Sequence, residues 1–276
     1  MRQRKIDKKK FIRFILVVTF IIALAIGVTI SIRNISESVI KIGLYESSRP
    51  LTYVDERKNI LGFEAEYARL LAEKLEKKPE LKLYKLEEMA DALNGGAVDL
   101  IISTRQSVHD YIDGAYETAP FISYGVVLVK SPDNDEIYGE EDIRGKRAGL
   151  IINSDADMLC DDMLQNYSFN VRLYDFELQP FQDLKLKKND FVIADELFAR
   201  YMQKEEPDYY QVLESVYYMA DFGLRLSRKL SQQTVADIED AVHSLRSELA
   251  VRALFLNWFG DDLGYNEKKI STPSHT

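Results

Sequence analysis

The sequence predicts an α/β protein of two similar lobes behind one N-terminal membrane-spanning helix. Three observations carry this. An uncharged run of 19 residues, Phe14 to Ile32, follows a basic cluster. Short β-branched runs then alternate with amphipathic helical stretches, which is how a largely parallel sheet reads. That alternation starts again near residue 124.

Composition narrows the classes. The 276 residues are 46 % hydrophobic and 29 % charged. That balance excludes a wholly disordered chain and a polytopic membrane protein. The net charge of −9 hides an asymmetry: residues 1–32 hold seven basic residues and one acid, which leaves 29 basic and 44 acidic residues for 33–276. A part this acidic argues against nucleic-acid binding. The single cysteine, Cys160, excludes an intrachain disulfide and any CxxC site, and reads as a small core residue. Three scattered histidines, at 109, 243 and 275, do not suit a zinc centre. The sequence holds no phosphate loop, G-x-S-x-G or H-E-x-x-H motif, and no cofactor is expected.

The elements follow in order. Residues 1–13 are a basic cytoplasmic segment. As a helix, 14–32 would span roughly 28 Å, about the thickness of the hydrocarbon core. The basic flank places the N-terminus inside and the rest of the chain outside. The end of the run, VTISIRN, lacks small residues at cleavage spacing, and no cysteine follows for a lipid anchor. An uncleaved signal anchor is therefore expected. Residues 33–38 are a polar linker.

VIKIGLY (39–45) is β-branched and reads as a strand. From Phe63, the positions Phe63, Tyr67, Leu70, Leu71 and Leu75 recur at helical spacing, so an amphipathic helix runs up to Pro79. ELKLYKL (80–86) alternates as a strand, LEEMADAL (86–93) is a short helix stopped by Gly95-Gly96, and VDLIIS (98–103) is a buried strand. In the second half, strands are expected at 124–131, across GKRAGLII up to Ile152, at 169–175, and at 189–196. Ser154 and Asp155 open a helix as cap and first-turn acid. ELFARYMQ is helical, and YYMADFGLRLS (217–227) returns to strand. Val235 to Leu245 and Leu254 to Phe259 are helical. Residues 266–276 are a polar tail. The acid runs 133–136 and 140–142 read as solvated loop.

Several of these segments, in this order, resemble the extracellular solute-binding proteins of family 3, the amino-acid-type receptors of ABC importers. IKIGLYESSRPLTY stands at the family's first strand and pocket loop. LGFEAEYARLLAEKL is similar to its "GFDvDLa" helix, and DALNGGAVDLIIS to its "L-x-x-G-k-v-D" turn and strand. YETAPFISYGVVLV, IRGKRAGLIINSDA, NDFVIAD, FGLRLSRKL and LFLNWFG match later family segments over some 230 residues. The resemblance implies a type II periplasmic-binding-protein-like fold. Its lobe 1 would comprise 39–123 and 218–265, and its lobe 2 would comprise 124–217. Two hinge crossovers would join them, with a ligand bound in the cleft between.

The resemblance also implies the site. The family's ammonium-binding acid falls on Asp195; an N-cap for the helix from Glu196 is the alternative role. The family's carboxylate-binding Arg lies a dozen residues after the Asp of its "v-D-a-i-i" strand, which lands on Tyr111. Arg105 stands nearby, flanked by Thr104 and Gln106 at the assisting Ser/Thr positions, and reads either as a substitute or as a surface or interlobe Arg. The family's Gly-Ser/Thr helix start is here Asn153-Ser154-Asp155. The first pocket loop supplies Tyr45, Glu46, Ser48 and Arg49. Acids (Glu46, Asp155, Asp195) outnumber bases in this set, which favours an amine or other cation, with Tyr45 and Tyr111 as cation–π partners worth ~0.5–2 kcal/mol each.

The implied function is a membrane-anchored, extracytoplasmic receptor that captures an amino acid or related small amine and delivers it to an ABC permease, without covalent chemistry. A sensor or accessory protein acting through a protein partner is the alternative. An enzyme built on the same fold is a third reading, and nothing in the sequence singles out its acid or base.

Overall fold

The computed structural model describes Val18 and residues 39–263, apart from 113 and 153. The expected membrane helix, the linker 33–38 and the tail 266–276 lie outside the described residues, Val18 alone excepted. Among the described residues no helix is long and apolar enough to cross a membrane.

Two five-stranded sheets organise the chain. The first has the order β4-β1-β5-β12-β6, with β1 at Val39–Tyr45, β4 at Lys78–Tyr84, β5 at Leu100–Ile102, β6 at Tyr116–Glu117 and β12 at Arg225–Leu226. β1 runs parallel to β4 and β5, and β12 runs antiparallel to β5 and β6. The second has the order β11-β7-β10-β8-β9: β7 is Ile122–Lys130, β8 Arg147–Ile151, β9 Asn170–Tyr174, β10 Phe191–Asp195 and β11 Gln211–Phe222. The parallel set is β9-β8-β10, and β7 runs antiparallel to both β10 and β11. A small hairpin, β2 (Tyr53–Val54) with β3 (Ile60–Leu61), follows β1.

Strand periodicity covers both faces of each sheet. On β7, Val126 and Leu128 join one buried cluster while Val127 and Val129 join another; on β10, Phe191 and Ile193 alternate with Val192 and Ala194 in the same way. A sheet buried on both faces reads as a continuous apolar run, which is why VVLV and FVIA look alike in sequence.

Helix α1 (Phe63–Lys74) packs Phe63 against Phe255 and Phe259 of the helix Leu249–Phe259, with ring centroids 5.0 and 5.1 Å apart. Burying each such ring stabilises the fold by about 1.5–3 kcal/mol. Helices α2 (Leu86–Gly95) and α3 (Gln106–Tyr111) cover the opposite face through Met89, Leu93, Val108 and Ile112.

Several boundaries differ from the sequence reading, each for a physical reason. α1 ends at Lys74 because Glu76 takes a left-handed turn (φ 53°) and the Lys77 N–H closes on the Ala72 carbonyl. β4 starts at Lys78 and includes Pro79; it is an edge strand, where a missing N–H is tolerated. The stretch 217–227 is two strands in different sheets, broken at Gly223, and the first begins at Gln211. Residues 178–185, unassigned from sequence, form helix α5 (Leu178–Lys185), with Pro180 in its first turn where proline does least harm. Part of the acid run at 140–142 opens a 3₁₀ turn, Glu140–Ile143. Cys160 is buried on α4 (Asp155–Tyr167).

The chain passes between the sheets along β7 and β11, which pair side by side from Gln211↔Lys130 to Phe222↔Ile122. Phe121, Ile122, Tyr124 and Phe222 belong to the first sheet's core, and Val126 onward to the second's. Helix α6 (Glu196–Glu205) touches both. Leu197 joins the first core, Ala199 and Met202 join a core of the second, and Arg200 reaches Asp261 at 3.5 Å.

Each sheet uses an aspartate in the same way. The Asp99 carboxylate accepts from the Lys41 N–H at 2.8 Å, and the Asp99 N–H donates to the Lys41 carbonyl. The Asp190 carboxylate accepts from the Arg147 N–H at 2.8 Å, and the Asp190 N–H donates to the Arg147 carbonyl. Both fix a central strand to the start of its parallel neighbour.

The loops at the top of the first sheet hang on one buried carboxylate. Glu64, in the first turn of α1, accepts from Thr52 Oγ1 at 2.6 Å and from the Thr104 N–H and Oγ1 at 2.7 and 2.9 Å. Tyr124 OH donates to the Thr104 carbonyl. Gly62 lets α1 begin against the pocket loop. It adopts φ 115°, and a Cβ there would lie 2.1 Å from the Leu51 carbonyl oxygen, while the Phe63 and Glu64 N–H groups donate to the Pro50 and Leu51 carbonyls. Gly62→Ala should therefore lower the unfolding free energy by more than about 2 kcal/mol in chemical denaturation.

Burial raises the Glu64 pKa above its ordinary value of 4.5, against the opposing hydrogen bonds from Thr52 and Thr104. A carboxyl raised in the folded state contributes stability that is present below its unfolded pKa and is lost as pH rises through the folded one. Glu64→Gln keeps the acceptor for Thr104 and removes that loss. The stability of Glu64→Gln relative to wild type should therefore climb as pH rises above 4.5, read by parallel denaturation series.

Candidate functional site

A cleft of about 1170 Å³ lies between the two sheets. Tyr45, Glu46, Ser48, Arg49 and Arg105 line it from the first lobe, and Ile151, Ser154, Phe176, Glu177 and Phe198 from the second. Asp195 borders two small recesses continuous with this lining, one shared with Arg105 and Tyr124 and one with Ser154. Parallel strands end here: β1 at Tyr45, β5 just before Thr104 and Arg105, β8 just before Ser154, and β10 at Asp195. Ligand crevices in open α/β sheets form at such carboxyl ends.

Arg105 is three-quarters buried. Its Nη2 pairs with Glu177 Oε1 and donates to Ser47 Oγ at 3.2 Å, while its backbone N–H donates to Ser103 Oγ at 3.1 Å. Its Nε is buried with no hydrogen-bond partner among the described residues. Burial disfavours the guanidinium charge, but Glu177 and Asp195 outweigh that, so its pKa is raised and the cation is held firmly. Arg105 thus links a loop of the first sheet to the turn that carries Glu177.

The loop carrying Arg105 is also held from below. Buried His109 lies 2.9 Å from the Ser103 carbonyl through Nε2, which must donate, and its Nδ1 lies 3.4 Å from Glu117. Burial lowers the His109 pKa and favours the neutral ring.

Asp195 closes β10 and opens α6, as the N-cap alternative required, but its side chain makes no cap bond to α6. Oδ1 instead accepts the Ala156 N–H, 3.1 Å away, in the first turn of α4. The helix start that the family resemblance offers to a ligand carboxylate thus faces a carboxylate of the protein. Ser154 caps the same helix: its Oγ accepts the Asp157 N–H at 3.1 Å and donates to the Ile151 carbonyl at 2.8 Å. The side chain of Asp155 and all of Asn153 lie outside the described residues.

The remaining expected residues sit elsewhere. Thr104 is buried on Glu64, beneath the cleft. Gln106 points along its own helix to Asp110, at 2.7 Å. Tyr111 ends α3, is 47 % exposed, and is not among the residues lining the cleft. Arg49 lines it, with its guanidinium 4.4 Å from the Tyr53 ring centroid.

Sequence reasoning missed Glu177, Phe176 and Phe198, and the acids Asp175, Glu205 and Glu206 that line the same cleft. Glu177 also accepts from Ser48 Oγ at 2.7 Å. Its one local signal, the turn before a Pro-containing helix, carries no hint of a partner 72 residues away.

Comparison with known proteins matches this geometry. The family model for bacterial extracellular solute-binding proteins, family 3, matches residues 40–261. The chain is 25 % identical over 224 residues to the L-cystine-binding protein TcyJ of Escherichia coli, covering 80 % of this chain and 83 % of TcyJ. It is 24 % identical over 234 residues to the putative amino-acid ABC transporter-binding protein PatH of Vibrio harveyi, covering 81 % and 90 %. Among solved structures, the L-cystine solute receptor of Neisseria gonorrhoeae in its unliganded open conformation superposes with a TM-score of 0.69 at 22 % identity, covering 84 % of this chain and 98 % of the receptor. The probable amino-acid ABC transporter extracellular-binding protein ytmK of Bacillus subtilis gives 0.67 at 18 %, covering 82 % and 100 %. With its two-lobed α/β fold and its cleft at the strand ends, the chain belongs to the bacterial extracellular solute-binding proteins of family 3.

Proposed function

We propose that this protein is an extracytoplasmic receptor for an amino acid or closely related amine, which it delivers to an ABC permease. The observation that carries the reading is the cleft between the lobes, where a guanidinium (Arg105) and a carboxylate (Asp195) border one small recess. A free amino acid needs both charges, and a guanidinium suits its carboxylate. Relatives named as cystine-binding and amino-acid-binding proteins of ABC transporters support the same ligand class.

In this reading lobe 1 is 39–123 with 218–265 and lobe 2 is 124–217, hinged at β7 and β11. Closure is driven by contacts a ligand makes only when the lobes meet. Tyr45, Glu46, Ser48, Arg49, Arg105, Ser154 and Asp195 contact the ligand. Thr104 acts through the loop it holds. No step breaks or forms a covalent bond.

A thermal-shift panel of amino acids, polyamines and quaternary amines tests the reading. A ligand at 100 times its dissociation constant should stabilise the protein by about 2.7 kcal/mol. The shift should be lost in Asp195→Ala. Silence across the panel would count against a receptor and in favour of a sensor acting through a protein partner.

Residues 14–32 anchor the receptor to the membrane without cleavage. The support is the uncharged run behind its basic flank. In fractionated cells the protein should stay with the membrane through a high-salt wash and keep its N-terminus. A protein starting after residue 32 and released to the medium would overturn the anchor.

A further inference from the structure

Arg105 already holds a carboxylate from its own chain. Glu177 accepts from its Nη2 through Oε1 and from Ser48 Oγ, 2.7 Å away, through Oε2. Arg105 and Ser48 belong to two loops of the first lobe, and Glu177 to the turn between β9 and α5 on the second. A guanidinium and a hydroxyl are the donors a bound carboxylate needs, so Glu177 stands where a ligand's carboxylate would stand. The grip is incomplete, because the buried Nε of Arg105 has no partner among the described residues. The turn is open to solvent: its neighbours Phe176 and Leu178 are 68 % and 45 % exposed.

Building on the amino-acid reading above, we infer that Glu177 is a specificity-determining residue, exchanged from Arg105 by a dipolar ligand. The ligand's carboxylate takes Arg105, and its ammonium, beside Asp195, takes the released Glu177. The Arg105–Glu177 pair opens and each of its members gains a ligand partner. A simple amine leaves the internal pair closed and meets only the remaining acids. A simple carboxylate evicts Glu177 and strands it as an unpaired anion in a cleft also lined by Glu46 and Asp175. The same residue thus disfavours both half-molecules, which is specificity by an unpaired charge.

Two measurements on the full-length protein in detergent test this, each on wild type, E177Q and E177A. First, phenylglyoxal labelling of guanidinium groups is followed by peptide mass spectrometry without added ligand, with exposed Arg57 as reference. Arg105 labelling relative to Arg57 should rise on the order of ten-fold in E177A, where its partner is gone, and by less in E177Q, whose amide oxygen still accepts. Second, calorimetry compares L-lysine with cadaverine, which lacks the carboxylate, and with 6-aminohexanoate, which lacks the α-amino group; L-cystine is compared with cystamine. Wild type should prefer the amino acids, and the preference for lysine over 6-aminohexanoate should narrow about ten-fold in both variants. Unchanged labelling, or an unchanged preference, overturns the role of Glu177 while leaving the receptor reading intact. Wild type that binds neither lysine nor cystine, nor any amino acid of the thermal-shift panel, overturns the exchange together with the amino-acid reading.

Discussion

The Glu64 carboxylate is the constraint on which the cleft depends. It is buried at the start of α1 and takes three donors from two loops separated by 52 residues of chain: Thr52 beyond the first pocket loop, and Thr104 beside Arg105. A carboxylate so placed is costly alone and tolerable only with its donors in position. Helix, pocket loop and Arg105 loop are therefore set together. Gly62 allows the helix to approach, and His109 and Tyr124 hold the far side of the same loop.

Electrostatic features of the cleft follow from that placement. Arg105 is carried into partial burial by its loop, and a buried cation requires anions nearby. It finds Glu177, with Asp195 close enough to add to the effect. Asp195 in turn holds the Ala156 N–H at the start of α4. The two lobes are thus joined by charge as well as by β7 and β11, and a ligand enters a network already satisfied in part. A ligand that took Arg105 from Glu177 would gain only the difference between two sets of pairs.

Much of the fold was legible in the sequence because it rests on local patterns. VIKIGLY coincides with β1, and the apolar spacing from Phe63 gives α1 with its buried face. What failed locally failed for stated reasons: Pro79 sits in an edge strand, and α5 is too short and carries a proline. The site was legible only in part. Ligand candidates on strand ends, such as Tyr45 and Asp195, reached the cleft, because strand ends are where the fold puts it. Tyr111 was reached by counting along the chain, and α3 carries it away from the cleft. Glu177 could not be found by any spacing rule, because its meaning comes from Arg105 across the two lobes.

Helix α6 is seated in both halves of the molecule. Leu197 is packed with the first lobe, Ala199 and Met202 with the second, and Arg200 is tied to Asp261. A rod seated in both halves travels least when they rotate. Asp195 stands at the head of that rod, whereas Glu177 stands on a turn whose neighbours Phe176 and Leu178 are exposed. In the proposed closure, rotation about that rod would carry Glu177 further than Asp195.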